Sequence, residues 1–92
     1  MIKIRLSAGL RSVAGSKTVE VQIKPGATVR DLLHSLHAAN AALANHILTP
    51  SGDLVAGMLL IVRGQHIDFQ QGLDTAVHEV DEVMLVPPLS GG

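Results

Sequence analysis

Apolar and polar side chains alternate in two stretches near the start of the chain. The first is Ile2–Leu6, where apolar residues alternate with basic ones, and the second is 18–23, which is rich in β-branched residues. A period of two is typical of strands with one buried face. The residues between them, 7–15, are predicted to form a connection whose apolar residues have near-helical spacing and which stops at Gly15. The pattern therefore predicts an N-terminal hairpin with a wide loop.

The pattern then changes to the period of a helix. A proline–glycine turn at 24–27 leads to Thr28, which is a good N-cap, and Asp31 follows near the positively polarised start of the helix. Apolar residues at i, i+3, i+4 and i+7 form one stripe: Val29, Leu32, Leu33 and Leu36. We expect a helix over Val29–Ala39, which the alanine-rich stretch to Asn45 extends or frays.

Three further strands are predicted in the second half of the chain. Residues 58–63 are apolar on both faces, which is typical of a central strand, and a turn leads from there to a short strand at 66–69. The last strand is 82–86 and ends at Pro87-Pro88. The remaining residues are predicted to be loops, at 45–53 and 70–80. The order strand-strand-helix-strand-strand-strand predicts an α+β fold of two layers, with a mixed sheet packed on one main helix. The first and last strands are expected side by side in the middle. The helical stripe is expected to pack on a sheet face that includes Ile2, Ile4, Val21 and Ile61.

The composition narrows the class of protein. With 92 residues the chain is expected to be one domain, 1–92. It has no cysteine, which excludes disulfides, thiolate nucleophiles and cysteine-ligated metals. Its longest apolar run is far shorter than the ~20 residues of a membrane span, and it shows no secretory signal pattern, so we expect a cytoplasmic protein without a membrane partner. A net charge of −1 and a single aromatic residue argue against nucleic-acid binding.

Charge and hydropathy both indicate a docking surface. Residues 1–46 hold six basic side chains against two acidic ones, whereas residues 47–92 hold one against six. Such a polarised surface can orient partners during docking. The mean hydropathy of +0.35 is high for a small domain with so few aromatic residues. We therefore expect an exposed aliphatic patch on the sheet face away from the helix, which partner proteins bury.

No side-chain constellation typical of an enzyme stands out. His34 and His37 have the i, i+3 spacing of a metal-chelating pair, but they interleave the leucine stripe, which favours solvated histidines. Four acidic residues favour a solvated loop over an acid–base pair: Asp74, Glu79, Asp81 and Glu82. The chain has neither a G-x-S-x-G nucleophile motif nor a phosphate-binding glycine loop.

The last six residues, 87–92, form a segment of a different kind. Two prolines directly after a strand make a stiff exit that cannot rejoin the sheet, and Gly91 and Gly92 end the sequence. Glycine has no Cβ, so it can pass through a channel too narrow for other residues. Six extended residues reach ~20 Å, enough to place a carboxylate inside another protein. That carboxylate is a poor electrophile until an enzyme adenylates it. The pattern therefore favours a flexible delivery tail over an ordinary frayed end.

These features together resemble the ubiquitin-like β-grasp sulfur carriers, and within them the MoaD-type small subunit of molybdopterin synthase. The resemblance spans nearly all 92 residues and is strongest over 81–92. Thiamine sulfur carriers share the diglycine end but lack the proline pair. The chain departs from the pattern at Val86, where the family usually has an aromatic residue, and in its acidic turn, 78–82. Further segments support the resemblance: 1–4, 10–15, 28–33 and 69–74.

The resemblance implies a sulfur carrier rather than a catalyst. An E1-like adenylyltransferase that binds ATP would adenylate the Gly92 carboxylate, and a sulfurtransferase system would convert it to a thiocarboxylate. The tail, including Gly91, would then enter the large subunit of molybdopterin synthase within a heterotetramer. There it would give sulfur to the pterin precursor of the molybdenum cofactor. The chain itself would bind no cofactor and no metal.

Three alternatives stay open. The chain could be a ubiquitin-like modifier that is joined through Gly92 to substrate lysines. It could carry sulfur for another pathway, towards thiamine, cysteine or a tungsten pterin. It could also be a plain interaction module with an idle tail.

Overall fold

Five strands form one mixed sheet in the computed structural model, which describes residues 1–88. Their order across the sheet is β2-β1-β5-β3-β4, where each label follows the chain. The two central strands, β1 and β5, pair in parallel, and the other neighbours pair antiparallel. The expectation that the first and last strands lie side by side in the middle is confirmed. The strands are β1 (Ile2–Leu6), β2 (Thr18–Val21), β3 (Leu59–Val62), β4 (Gln65–His66) and β5 (Val83–Val86).

Within residues 1–88, three α-helices accompany the sheet: α1 (Ala8–Ala14), α2 (Val29–Ala39) and α3 (Ala41–Ile47). The predicted bounds of α2 are confirmed. The helix begins at Val29 because Thr28 and Asp31 form a complete capping box. Thr28 Oγ1 accepts a hydrogen bond from the Asp31 amide at 3.4 Å, and the Asp31 carboxylate accepts one from the Thr28 amide at 3.0 Å. The second of these bonds holds the pKa of Asp31 below its ordinary value.

Two expectations about the other helices are wrong. The segment 7–15 is not an open connection, because it forms α1, which does stop at Gly15 in the left-handed conformation with φ of 76°. The alanine-rich stretch neither extends nor frays α2, because Asn40 begins a separate helix. Asn40 Oδ1 accepts a hydrogen bond from the Leu43 amide at 3.0 Å and so caps α3. The loop predicted at 45–53 therefore begins only after Ile47.

The core lies between α2 and one face of the sheet. All four residues of the predicted helical stripe are buried: Val29, Leu32, Leu33 and Leu36. The prediction that Ile61 joins them is wrong, because Leu60 and Val62 point inward and Ile61 is half-buried on the opposite face. Four apolar side chains in a row hide the alternation of β3 in the sequence. The inward residues of β1, β3 and β5 are Ile2, Ile4, Leu6, Leu60, Val62, Val83 and Leu85.

Two predicted strands end well before their patterns do, whereas those predicted at 58–63 and 82–86 lose at most one residue at either end. The second strand ends at Val21 rather than at residue 23. The strand expected at 66–69 is wrong beyond His66, because Ile67–Phe69 form a short 3-10 helix that buries Ile67. The amide of Gln70 closes this turn by donating to the Ile67 carbonyl at 2.9 Å. Within residues 1–88, none of the helices is long and apolar enough to cross a membrane.

Candidate functional site

The tail leaves the sheet from a central strand. β5 ends at Val86 between its neighbours β1 and β3, and the chain continues through Pro87, which is half-buried, and Pro88, which is exposed. Proline has no amide hydrogen, so neither residue can donate to the ladder. The predicted site residues Gly91 and Gly92 lie outside the described residues, as does most of the predicted tail. The structure therefore defines where the tail begins and in what surroundings.

The acidic turn lies at the other end of β5. Because β1 and β5 are parallel, the start of the chain lies beside the start of β5, and the Met1 ammonium group contacts Glu79 at 3.1 Å. Asp81 accepts hydrogen bonds from Arg63 at 2.6 Å and from the His78 amide at 2.8 Å. A four-residue strand separates this turn from the tail by roughly 13 Å. Asp81 therefore departs from the expected solvated loop, because its side chain is mostly buried and stabilises the turn before β5.

Four aliphatic side chains form a patch on the sheet face that points away from α2. They are cross-strand neighbours from β3 and β5, with Leu59 beside Val86 and Ile61 beside Met84. Leu59 is 39% exposed, and the other three are half-buried. We call these four residues the outer patch. The aliphatic patch expected on this face is confirmed, and it ends where the tail leaves the sheet.

The residue before the two prolines belongs to this outer patch. Val86 stands where the resembled family usually has an aromatic residue, and it lies beside Leu59. A valine presents a smaller apolar surface than an aromatic ring at the same place. The outer patch therefore keeps its apolar character and changes its shape. The departure at Val86 bears on the fit to a partner and leaves the tail itself unaltered.

Two basic side chains flank the outer patch on β1. Lys3 and Arg5 are exposed because they alternate with the inward residues of that strand, and Arg5 lies directly beside Met84. On its other side, Lys3 lies opposite Glu20 of β2. The alternation in the sequence predicts that both basic residues are exposed. Only the parallel pairing of β1 with β5 brings Arg5 next to the outer patch, and that pairing is not visible in a local pattern.

The histidines of α2 lie on its solvent side. His34 and His37 are both exposed, as expected for solvated histidines, and they line an open groove between α2 and residues 45–52. Within residues 1–88, no three histidine, aspartate or glutamate side chains lie close enough together to hold a metal ion. What this part of the chain presents is an apolar surface, basic side chains beside it and the start of the tail.

Comparisons with known proteins agree with this architecture. The chain is 36% identical over 88 residues to small archaeal modifier protein 1 of Haloferax volcanii, a match that covers 96% of this chain and 97% of that protein. It is 30% identical over 91 residues to a protein of Archaeoglobus fulgidus described as a putative sulfur carrier protein, covering 99% of this chain and 98% of the relative.

Solved structures have the same fold. The crystal structure of the Haloferax volcanii modifier superimposes with a TM-score of 0.85 at 35% identity, covering 99% of this chain and 98% of that one. A molybdopterin converting factor subunit 1 from Pyrococcus furiosus, described as putative, superimposes with a TM-score of 0.73 at 24% identity, covering 96% and 97%, and shows the fold alone. The family model described as the ThiS family matches residues 4–92. This chain therefore belongs to the ThiS family and is a ubiquitin-like sulfur carrier or modifier with a β-grasp fold.

Proposed function

We propose that this chain is the sulfur-carrying small subunit of a molybdopterin synthase and that it acts in the cytoplasm. The observation that supports it best is the position of the exit: a central strand ends in Pro87 and Pro88, beside an apolar surface, and Gly91 and Gly92 follow in the sequence. A carrier needs this combination, because the partner must hold the body while the tail enters the active site.

The proposed chemistry takes place at the Gly92 carboxylate. One of its oxygens attacks the α-phosphorus of ATP, which an E1-like adenylyltransferase binds, and pyrophosphate leaves. A sulfur nucleophile then displaces AMP and leaves a thiocarboxylate on Gly92. Within the large subunit, that sulfur bonds to the pterin precursor, and water then attacks the acyl carbon of Gly92, breaks its bond to sulfur and restores the carboxylate. Gly91 keeps the tail narrow, because it has no Cβ. The chain supplies the carrier and the partners supply ATP and the catalytic groups.

The outer patch is the proposed docking surface for both partners. Its aliphatic residues offer area to bury, and Lys3 and Arg5 add positive charge at one edge. Two such complexes would form the heterotetramer through the large subunit. Because one patch serves both enzymes, the activating enzyme and the large subunit bind in turn. Recovery of both enzymes together on one carrier molecule would contradict this shared surface.

A second candidate function is conjugation to other proteins. It is favoured by two relatives described as small archaeal modifier proteins, one 36% and the other 30% identical over nearly the whole chain. In this case the adenylated Gly92 would be joined to a substrate lysine instead of to sulfur. Carriers for thiamine, cysteine or a tungsten pterin would use the same first step, and the neighbouring genes separate these pathways.

The test is the intact mass of the chain after incubation with ATP, the cognate activating enzyme and a sulfide source. A thiocarboxylate exchanges one oxygen for one sulfur in the free chain, whereas an isopeptide gives products larger than the chain. The loaded chain is then mixed with the large subunit and the pterin precursor. Dithiolene formation with loss of the added mass supports the synthase role. Conjugates without thiocarboxylate would replace it with the modifier role, and an unchanged mass would reject both.

A further inference from the structure

Two glycines stand against the two prolines at the exit of the tail. An ideal Cβ built on Gly9, in the first turn of α1, would lie 3.4 Å from Pro87 Cγ. A Cβ built on Gly57, just before β3, would lie 2.7 Å from Pro88 Cβ and 3.5 Å from Pro88 Cγ. Real Cβ atoms essentially never approach another heavy atom as closely as 2.7 Å. At Gly57, a side chain and the observed path of Pro88 therefore exclude each other.

The backbone conformation alone does not account for Gly57. Its φ is +82°, a value that favours glycine, but Gly26 and Gly64 have the same φ and nothing lies within 4 Å of the Cβ that each would carry. These two glycines satisfy a turn. Gly57 satisfies a turn and in addition leaves room for Pro88, so its position carries a second constraint.

Both glycines lie in segments that the fold holds in place. On one side, the Ser7 amide donates to the Leu85 carbonyl at 3.2 Å, and Arg11 Nε donates to the Leu6 carbonyl at 2.8 Å, which fixes α1 beside β5. On the other side, the Val55 amide donates to the Ile47 carbonyl at 2.9 Å. The Met58 amide then donates to the Val55 carbonyl at 3.0 Å, and the Met58 side chain is buried. Neither wall is free to move without breaking these bonds.

We propose that Gly9 and Gly57 are positioning residues that form a slot for Pro87 and Pro88 and so direct the tail out of the sheet. This inference rests on the proposed function, because it concerns how the tail reaches a partner. From Pro88, the four remaining residues span roughly 14 Å when fully extended. Once a partner's channel holds the tail extended, the tail has no slack, and a shift of Pro88 against the outer patch then moves the Gly92 carboxyl group by a similar distance. A misplacement of ~1 Å in a reacting group can cost ~100-fold in rate.

The test compares Gly57→Ala with Gly26→Ala, since both replace a glycine with φ of +82°. Both variants are expected to lose similar stability from this backbone conformation. Only Gly57→Ala is expected to slow thiocarboxylate formation, by at least about tenfold, with the Kd for the activating enzyme unchanged because the outer patch is intact. Equal rates of thiocarboxylate formation in the two variants would overturn the proposal that the slot positions the tail.

If Gly57→Ala does not fold, two substitutions of increasing size at Gly9 provide the test instead. Gly9→Ala brings its Cβ to ordinary contact distance of Pro87 and should transfer normally, whereas the branched side chain of Gly9→Val should push Pro87 aside and slow transfer. Equal rates in these two variants would also overturn the slot.

Nuclear magnetic resonance of the free proteins gives a readout that does not depend on the proposed function. Contacts between Gly57 Hα and Pro88 Hβ are expected in the unmodified chain, and the Pro88 resonances should shift in Gly57→Ala but not in Gly26→Ala. If the unmodified chain never forms a thiocarboxylate, the proposed function fails while these spectra still decide on the slot. Absence of the Gly57–Pro88 contacts would reject the slot on its own.

Discussion

Arg63 Nη1 lies 2.6 Å from Asp81 Oδ2, and this ion pair ties the turn between β3 and β4 to the turn before β5. The Asp81 side chain is only 7% exposed. The same guanidinium donates to the Ala76 carbonyl and to Gln70 Oε1, each at 3.2 Å. Arg63 has a φ of 55°, a left-handed value that is uncommon for a residue with a side chain. Arg63 adopts this backbone conformation, and its side chain joins three segments near the start of β5.

The first prediction follows from this pair. Arg63→Ala should lower the free energy of unfolding by about 1.5–3 kcal/mol, because it leaves a mostly buried carboxylate without its cation. The control is Arg30→Ala, whose partner Asp74 lies 3.5 Å away with both side chains exposed. An exposed pair of this kind contributes about 0–1 kcal/mol. Urea denaturation of both variants measures the difference, and equal losses would contradict the structural role of Arg63.

Local patterns predict those parts of this fold that local chemistry determines. Thr28 and Asp31 lie three residues apart, so their capping box and the start of α2 are visible in the sequence. The alternation of Ile2–Leu6 likewise shows which side chains of β1 face the core. The inward face of β3 is not predictable in this way, because Leu60 and Ile61 are both apolar. Only pairing with β5, more than 20 residues later in the chain, decides between them.

The candidate site likewise has one part that the sequence predicts and another that only the fold brings together. The proline pair and the diglycine lie within six consecutive residues, so the sequence alone predicts a tail. The surroundings of the tail come from distant segments: Gly9 lies in α1, Gly57 lies before β3, and Arg5 reaches the outer patch through a parallel pairing. No periodicity links such residues, because their proximity arises from the order of strands in the sheet.

The second prediction concerns the two faces of β3. Leu60→Ala should cost about 2–5 kcal/mol of stability, because Leu60 is 1% exposed and its loss leaves a cavity in the core. Ile61→Ala should cost about 1 kcal/mol, because its side chain is half-buried on the outer patch. The affinity for the large subunit should show the opposite order, with Ile61→Ala lowering it more than Leu60→Ala does. Thermal denaturation and titration calorimetry give the two rankings, and a larger stability loss at Ile61 would contradict the register.

The third prediction is a dependence of stability on pH. The Thr28 amide donates to the Asp31 carboxylate and holds its pKa below the ordinary value of 3.8. A carboxyl group whose pKa is lower in the folded state stabilises the fold above its unfolded pKa. That stabilisation is lost as the pH falls below the pKa of the unfolded state and through the lower pKa of the folded state. The advantage of the unmodified chain over Asp31→Asn should therefore shrink on acidification.

Melting temperatures of both proteins over a series of acidic buffers measure this effect. The same substitution at the exposed Asp53 is measured alongside as a matched control. An advantage over Asp31→Asn that grows as the pH falls would have the wrong sign and would contradict the capping interaction.

The fourth prediction separates docking from delivery. Deleting Gly92, or adding one residue after it, should leave the affinity for the large subunit largely intact, because the outer patch supplies the contact area. Either change displaces the terminal carboxyl carbon by ~3.5 Å, so sulfur transfer should be abolished. Gly91→Ala should be milder but still harmful, since its Cβ would meet the wall of the channel. Ile61→Asp should show the opposite profile. Its affinity for the large subunit should be weak, but its sulfur transfer should be normal once enough large subunit is added to bind all of the variant. Calorimetry and intact mass, measured on the same preparations, distinguish the two defects. A chain without Gly92 that still forms a thiocarboxylate and supports dithiolene synthesis would show that the carrier mechanism is wrong.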